Sequence, residues 1–177
     1  MPRPGQELTD PITKAQLRFD ETSASSSGRD VRMELRVESG WSAGPVHVHP
    51  RQTELLRVVE GCFRAHIGPH SRILRPPDEL PVPPATSHTI ELVGARGTLD
   101  VSFSPAFRTD ELFETMFSPR SPARPPAFVP GALRAWVESR GFTDEIRYLW
   151  PRRTAILAGA TVFLVAVALG FARSRTE

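Results

Sequence analysis

His47 and His49 lie one residue apart in the stretch G-P-V-H-V-H-P-R-Q-T-E, residues 44–54, and Glu54 closes it. Side chains alternate along a β-strand with a period of two, so the two imidazoles leave the same face. Pro50 ends that strand, and Glu54 begins the next one after a short turn, where it can return beside the pair. Two imidazoles and a carboxylate so gathered are the beginning of a metal site. His88 supplies a third imidazole, because it shares a strand face with Ile90 and Leu92, which point inward. Together the four offer three nitrogens and one oxygen. That set suits Mn, Fe, Ni, Cu or Zn and does not suit calcium, so one divalent transition metal is expected. Held by four protein ligands, an octahedral ion keeps two open positions and a tetrahedral ion keeps none. The same residues therefore serve a catalytic or a structural site.

Strands must position these ligands, and the sequence supplies them. Val31, Met33, Leu35 and Val37 alternate with Arg32, Glu34, Arg36 and Glu38, the pattern of a half-buried antiparallel strand. After the His47–His49 strand, Glu54, Leu56 and Val58 share a face, and Glu60-Gly61 reads as a hairpin turn. Phe63, Ala65 and Ile67 then face inward, which leaves His66 on the outer face; His70, beside Pro69, falls in a turn. Arg75-Pro76-Pro77-Asp78 turns into a strand at Leu80–Val82, and Leu99, Val101 and Phe103 make the last one. Eight or nine short strands at this spacing imply an all-β sandwich or closed barrel over residues 13–107, after an N-terminal arm at 1–12.

Beyond Pro105 the period changes. Thr109 or Asp110 caps a short helix within 108–118, whose Leu112, Phe113, Met116 and Phe117 form one apolar face that packs on the barrel. Residues 119–130 are Pro-rich and read as a semi-rigid linker. Two juxtamembrane helices are expected within 131–153, one over 132–140 stopped by Gly141 and one over 145–150 capped by Thr143 and Asp144. Residues 154–172 contain no charge; as a helix they span roughly 28 Å, the thickness of a bilayer core. Tyr148 and Trp150 sit at one edge, with Arg152 and Arg153 before the span and Arg173 and Arg175 in the short tail, 173–177. With no secretory signal at the N-terminus, this pattern is that of a single-pass tail anchor in the membrane, the barrel remaining in the cytoplasm.

Composition narrows the class further. The chain has 177 residues and a formal net charge of +2, too small a basic excess for a nucleic-acid partner. Eighteen prolines fit a β-domain with tight turns and a linker rather than a helical bundle. Cys62 is the only cysteine, which rules out an intramolecular disulfide and a cysteine-based zinc cluster; its apolar strand points to a buried, inert thiol.

The motif H-x-H, four residues, E, six residues, G is matched by His47, His49, Glu54 and Gly61, and here the sequence resembles the cupin superfamily. A second cupin motif, P-x-G-x-x-H, is matched at Pro83 and His88, with Ala85 where the motif has glycine. Pro77 and Leu92 replace two further motif positions, a glycine and an asparagine. The resemblance covers about residues 10–107 and extends to small single-domain cupins that carry a C-terminal membrane segment. It implies an antiparallel jelly-roll barrel with the metal inside its mouth, and pairing of two copies through an outer sheet face. From the strand parities, Leu56, Val58, Phe63, Ile67, Ile90 and Leu92 line a mostly apolar pocket for a small molecule, while Arg57 and Arg64 face away. Two functions fit such a chain: a metal-dependent enzyme acting on a small apolar molecule, or a non-catalytic binding or sensing module tethered to the membrane.

Overall fold

The alternation around Val31 propagates through the whole architecture. The computed structural model describes residues 1–10, 12–117 and 139–149. Among them, eleven strands and one helix follow in order: β1 (Glu7–Thr9), β2 (Gln16–Glu21), β3 (Val31–Glu38), β4 (His47–Val48), β5 (Thr53–Glu60), β6 (Phe63–Ile67), β7 (His70–Leu74), β8 (Glu79–Val82), β9 (His88–Leu92), β10 (Arg96–Ser104), α1 (Thr109–Phe117) and β11 (Arg147–Tyr148). They form two antiparallel sheets, ordered β1-β2-β3-β10-β5-β8 and β11-β4-β9-β6-β7. In β3, Val31, Met33, Leu35 and Val37 are buried while Arg32, Arg36 and Glu38 are exposed. The outer face of the larger sheet carries the charges as surface ion pairs such as Arg18–Glu34 at 3.5 Å and Arg57–Asp100 at 3.9 Å, each of which contributes little to stability.

The two inner faces share one core in which Phe19, Phe63 and Phe103 are fully buried. Gly97 belongs to that packing: a Cβ there would lie 2.6 Å from the Phe63 ring. Gly61, the glycine of the first motif, has two reasons to be glycine. Its φ is +89°, and an added Cβ would meet the Arg96 carbonyl oxygen at 2.6 Å. Neither the left-handed backbone nor that backbone approach tolerates a side chain, so Gly61→Ala is expected to cost about 2 kcal/mol or more. The midpoint of urea unfolding measures it; an unchanged midpoint would mean that the hairpin relaxes freely.

Helix α1 lies where its apolar face predicts, with Leu112 and Phe117 buried. Its start is tied to the metal motif by Gln52, which is completely buried and donates from Nε2 to the Pro105 carbonyl and to Thr109 Oγ1, both at 2.7 Å. The turn between His49 and Glu54 is thereby fastened to the far end of β10.

Several expectations need correction. The helix expected over 145–150 is not formed over its described residues, 145–149: Arg147–Tyr148 is a strand paired with Val48 and His47 of β4, and the Leu149 amide donates to the Val46 carbonyl at 2.8 Å. A six-residue helix is marginal by itself, whereas the open edge of β4 offers backbone partners to Arg147, Tyr148 and Leu149. The N-terminal arm contains β1, paired with β2. β7 includes His70, where the sequence predicts a turn. Of its five side chains only Leu74 is buried, so its sequence has no alternation to read. Cys62 is half-buried, just past the hairpin turn rather than within a strand. The Pro-rich linker at 119–130, the helix over 132–140 apart from Ser139 and Arg140, the 154–172 span and the 173–177 tail lie outside the described residues. No helix among the described residues is long and apolar enough to cross a membrane.

Candidate metal centre

All four predicted ligands converge. His47 stands in β4, His49 just beyond it, Glu54 second in β5 and His88 first in β9, where it is the direct cross-strand partner of His47. Each is at most 7% exposed, and one ligand atom from each lies within 4.8 Å of the other three. The ring centroids of His47 and His88 are 4.4 Å apart, and His49 lies 5.2 Å from both. The loops bearing the two motifs are joined by the Ala85 amide, which donates to the His49 carbonyl at 2.8 Å. Ala85 adopts φ +59°, so the left-handed turn of the second motif is kept although its glycine is not, at a cost of about 1 kcal/mol.

Backbone carbonyls fix the orientation of the imidazoles. Nδ1 of His47 lies 2.9 Å from the Pro45 carbonyl oxygen, Nδ1 of His88 2.9 Å from that of Thr86, and Nδ1 of His49 2.5 Å from that of Glu145. A carbonyl oxygen only accepts, so each Nδ1 carries a proton and each ring, in its neutral form, presents a lone pair on Nε2. The His88 and His49 Nε2 atoms lie 2.7 and 3.4 Å from Oε2 of Glu54. None of these three buried atoms has a hydrogen bond of acceptable geometry, despite the short distances. Lone pairs and a carboxylate thus face one another out of water. Such a group of acceptors calls for a cation at its centre, and the donor set fits a divalent transition metal.

Electrostatics follow from the same arrangement. Burial, reinforced by the neighbouring His88 and His49, lowers the His47 pKa to about 3, so its ring is a neutral ligand at physiological pH. Burial by itself would raise the Glu54 carboxyl; the His49 and His88 rings outweigh it and hold Glu54 well below the usual carboxylate range. His88 is raised: burial opposes protonation, but the Glu54 carboxylate 2.7 Å from its Nε2 prevails, so a proton competes with a metal ion for the space between them.

A cavity of about 260 Å³ adjoins the site. His47, His49 and Glu54 line it, and Leu56 and Ile90 of the predicted pocket are among its walls. Val58, Phe63 and Leu92 are buried elsewhere in the packed core and do not line it, and half-buried Ile67 packs against that core. The walls that sequence reasoning missed come from β10 (Leu99, Val101, Phe103), from β3 (Met33, Leu35) and from β11 and the residue before it (Tyr148, Ile146). Helix α1 closes one side with the apolar face that its period predicts, Leu112, Phe113, Met116 and Phe117. Phe103 meets the His49 ring at 5.0 Å and Tyr148 the His47 ring at 5.7 Å, both edge-on.

No protein-family model matches the sequence, and neither does any curated protein. Solved structures do match. KdgF from Halomonas sp. superposes with a TM-score of 0.52 at 22% identity, over 60% of this chain and 93% of that one. An RmlC-like cupin from Shewanella frigidimarina NCIMB 400 gives 0.51 at 24% identity, over 59% and 87%. A predicted oxalate decarboxylase from Thermotoga maritima gives 0.51 at 13% identity, over 56% and 90%. Likeness at these identities concerns the fold, and with two antiparallel sheets enclosing the clustered histidines and glutamate, this chain has the fold of the cupin superfamily.

Proposed function

We propose that this chain is a membrane-anchored cupin that holds one divalent transition metal and uses it to bind or transform a small, largely apolar molecule. His47, His49, Glu54 and His88 would hold the ion. The observation that carries this reading is the meeting of four buried donor groups with a cavity whose remaining walls are mostly hydrocarbon. When bound, the metal supplies a Lewis acid or redox centre with positions open to a ligand. The chain itself contributes the neutral Nε2 donors, the Glu54 charge and the exclusion of water by Leu56, Ile90 and Phe103. Among the described residues no lysine or arginine lines the cavity, so a multiply charged anion finds no counter-charge from them beyond the metal. An oxalate-like substrate, which the name of the Thermotoga neighbour suggests for that protein, is for this reason a poorer fit than an uncharged molecule with a single metal-binding group.

The membrane part of the reading rests on the charge-free run at 154–172. Three arginines (Arg147, Arg152, Arg153) precede it and two (Arg173, Arg175) follow, a small bias that favours a cytoplasmic barrel. A non-catalytic sensing module would use the same cavity and anchor. Full-length protein purified in detergent is expected to carry about one transition metal per chain by elemental analysis, and to remain with membranes through a high-salt wash. Protein with no stoichiometric metal, even after loading, would overturn the metal reading; protein that leaves the membrane without detergent would overturn the anchor. Metal without oxygen uptake or turnover across a panel of apolar carbonyls, phenols and quinones would favour the sensing module.

A further inference from the structure

We propose that residues 139–149 form a strap that completes the metal site, with Glu145 as the positioning residue of His49, so that strap docking and metal binding are coupled. The proposal rests on the metal reading above and goes beyond it by assigning a role to chain outside the barrel.

The ligands are not held alike. His47 and His88 are oriented by carbonyls two residues away, Pro45 and Thr86, so their own strands fix them. His49 lies past the end of β4, where no ladder bond holds its side chain, and its Nδ1 donates to a carbonyl 96 positions away, that of Glu145. β4 itself is two residues long and pairs with β9 through the single register position His47–His88. Its other edge is covered by β11, through Arg147–Val48 and Tyr148–His47. Without the strap, β4 becomes an edge strand and His49 loses the acceptor that sets its tautomer.

Glu145 fastens the strap at both ends of its residue. Its carboxylate, buried with the rest of the residue at 4% exposure, accepts from the Arg108 amide just before α1 at 3.0 Å, while its carbonyl receives His49. Around it, Phe142 and Ile146 pack on Leu112, and the Arg108 guanidinium lies 4.9 Å from the centre of the Phe142 ring. This cluster is small beside the barrel core. A segment fastened by so few apolar contacts opens at lower cost than the sheets do. Opening would expose the cavity at Ile146 and Tyr148, so the strap is also the natural entry for a ligand.

Coupling is reciprocal: whatever factor strap docking adds to metal affinity, metal adds to strap docking. The test uses the full chain in detergent with Co(II) as the probe. In the wild type, Co(II) is expected to slow hydrogen exchange at the Ile146 and Leu149 amides, which donate to Phe142 and Val46, and to leave β7 unchanged. Glu145→Ala keeps the carbonyl that receives His49 but removes the carboxylate that ties it to the Arg108 amide; the loosened strap is expected to weaken Co(II) binding about tenfold and to shift its visible bands. Glu145→Gln, which keeps an oxygen for the Arg108 amide, is expected to restore both. Wild-type protein that binds no Co(II) overturns the metal reading together with the strap. Wild-type protein that binds Co(II) without protecting 139–149 overturns the strap alone, and this arm stands even if the alanine variant does not fold. Alanine and wild-type chains with the same affinity and spectrum overturn the role of Glu145.

Discussion

His88→Ala is expected to abolish stoichiometric metal loading and to weaken Co(II) binding by at least about 100-fold, the upper end of what losing a mere supporting contact costs. His88 is the ligand through which the two halves of the site meet. Its strand pairs directly with His47, and its Nε2 stands 2.7 Å from Glu54 Oε2. Removing it leaves two imidazoles from one short segment and a carboxylate whose nearest remaining ring nitrogen is that of His49, at 3.4 Å. The fold should survive, because the ring contributes little to the apolar core. Circular dichroism like that of wild type, together with absent metal in equilibrium dialysis, is the expected pair of results. A variant that retains one ion per chain at wild-type affinity would remove His88 from the ligand set. The same geometry gives loading a pH dependence. Burial disfavours the His88 imidazolium, yet the nearby Glu54 carboxylate outweighs burial and raises its pKa, so protons compete with metal for Nε2. Affinity is therefore expected to fall as pH is lowered from 7 to 5 and to recover on return to neutrality; dialysis at each pH measures it, and a flat profile would contradict this competition.

Phe63→Ala is expected to cost about 3–5 kcal/mol in urea unfolding while leaving the Co(II) affinity of the folded chain nearly unchanged. Phe63 is completely buried, meets Trp41 edge-on at 6.4 Å and fills the space that Gly97 leaves open. In β6 it pairs with Leu92 of β9, whereas Ile67, four residues on, pairs with His88. At about 3.4 Å per residue, that places Phe63 roughly 14 Å along the strand from the level of His88. Truncation would empty the closed end of the barrel and leave the site end intact. A loss below about 1 kcal/mol would mean that the core collapses readily around the vacancy. A parallel loss of metal affinity would mean that the pocket extends further than the cavity does.

The division between Phe63 and Leu56 shows where sequence reasoning stops. Period-two parity marked both as inward, and both are buried. Parity says which face of a sheet a side chain takes but not its depth along the barrel axis, which depends on how two sheets are stacked and tilted. Leu56 is at the cavity end, while Phe63, Val58 and Leu92 belong to the packed core. The ligands themselves were readable because their constraints are local. His47 and His49 need only alternate, Glu54 needs only a short turn, and His88 needs only the parity of its own strand. Gly61 was readable as a turn, although its close approach to the Arg96 carbonyl was not.

The strap is the opposite case. The sequence places Ile146 and Tyr148 in a helix because Thr143 and Asp144 look like a cap, and because no nearby sequence shows that the edge of β4 is open. Local propensity over six residues amounts to a few tenths of a kcal/mol per residue, and backbone pairing with a strand almost a hundred positions earlier overrides it. Nor has the support of His49 any signature in residue type, since a backbone carbonyl is the same in every residue. Metal chemistry is thus written in four side chains and their spacing; the tautomer of His49, the shape of the cavity and the covering of its mouth arise only when distant backbone groups meet.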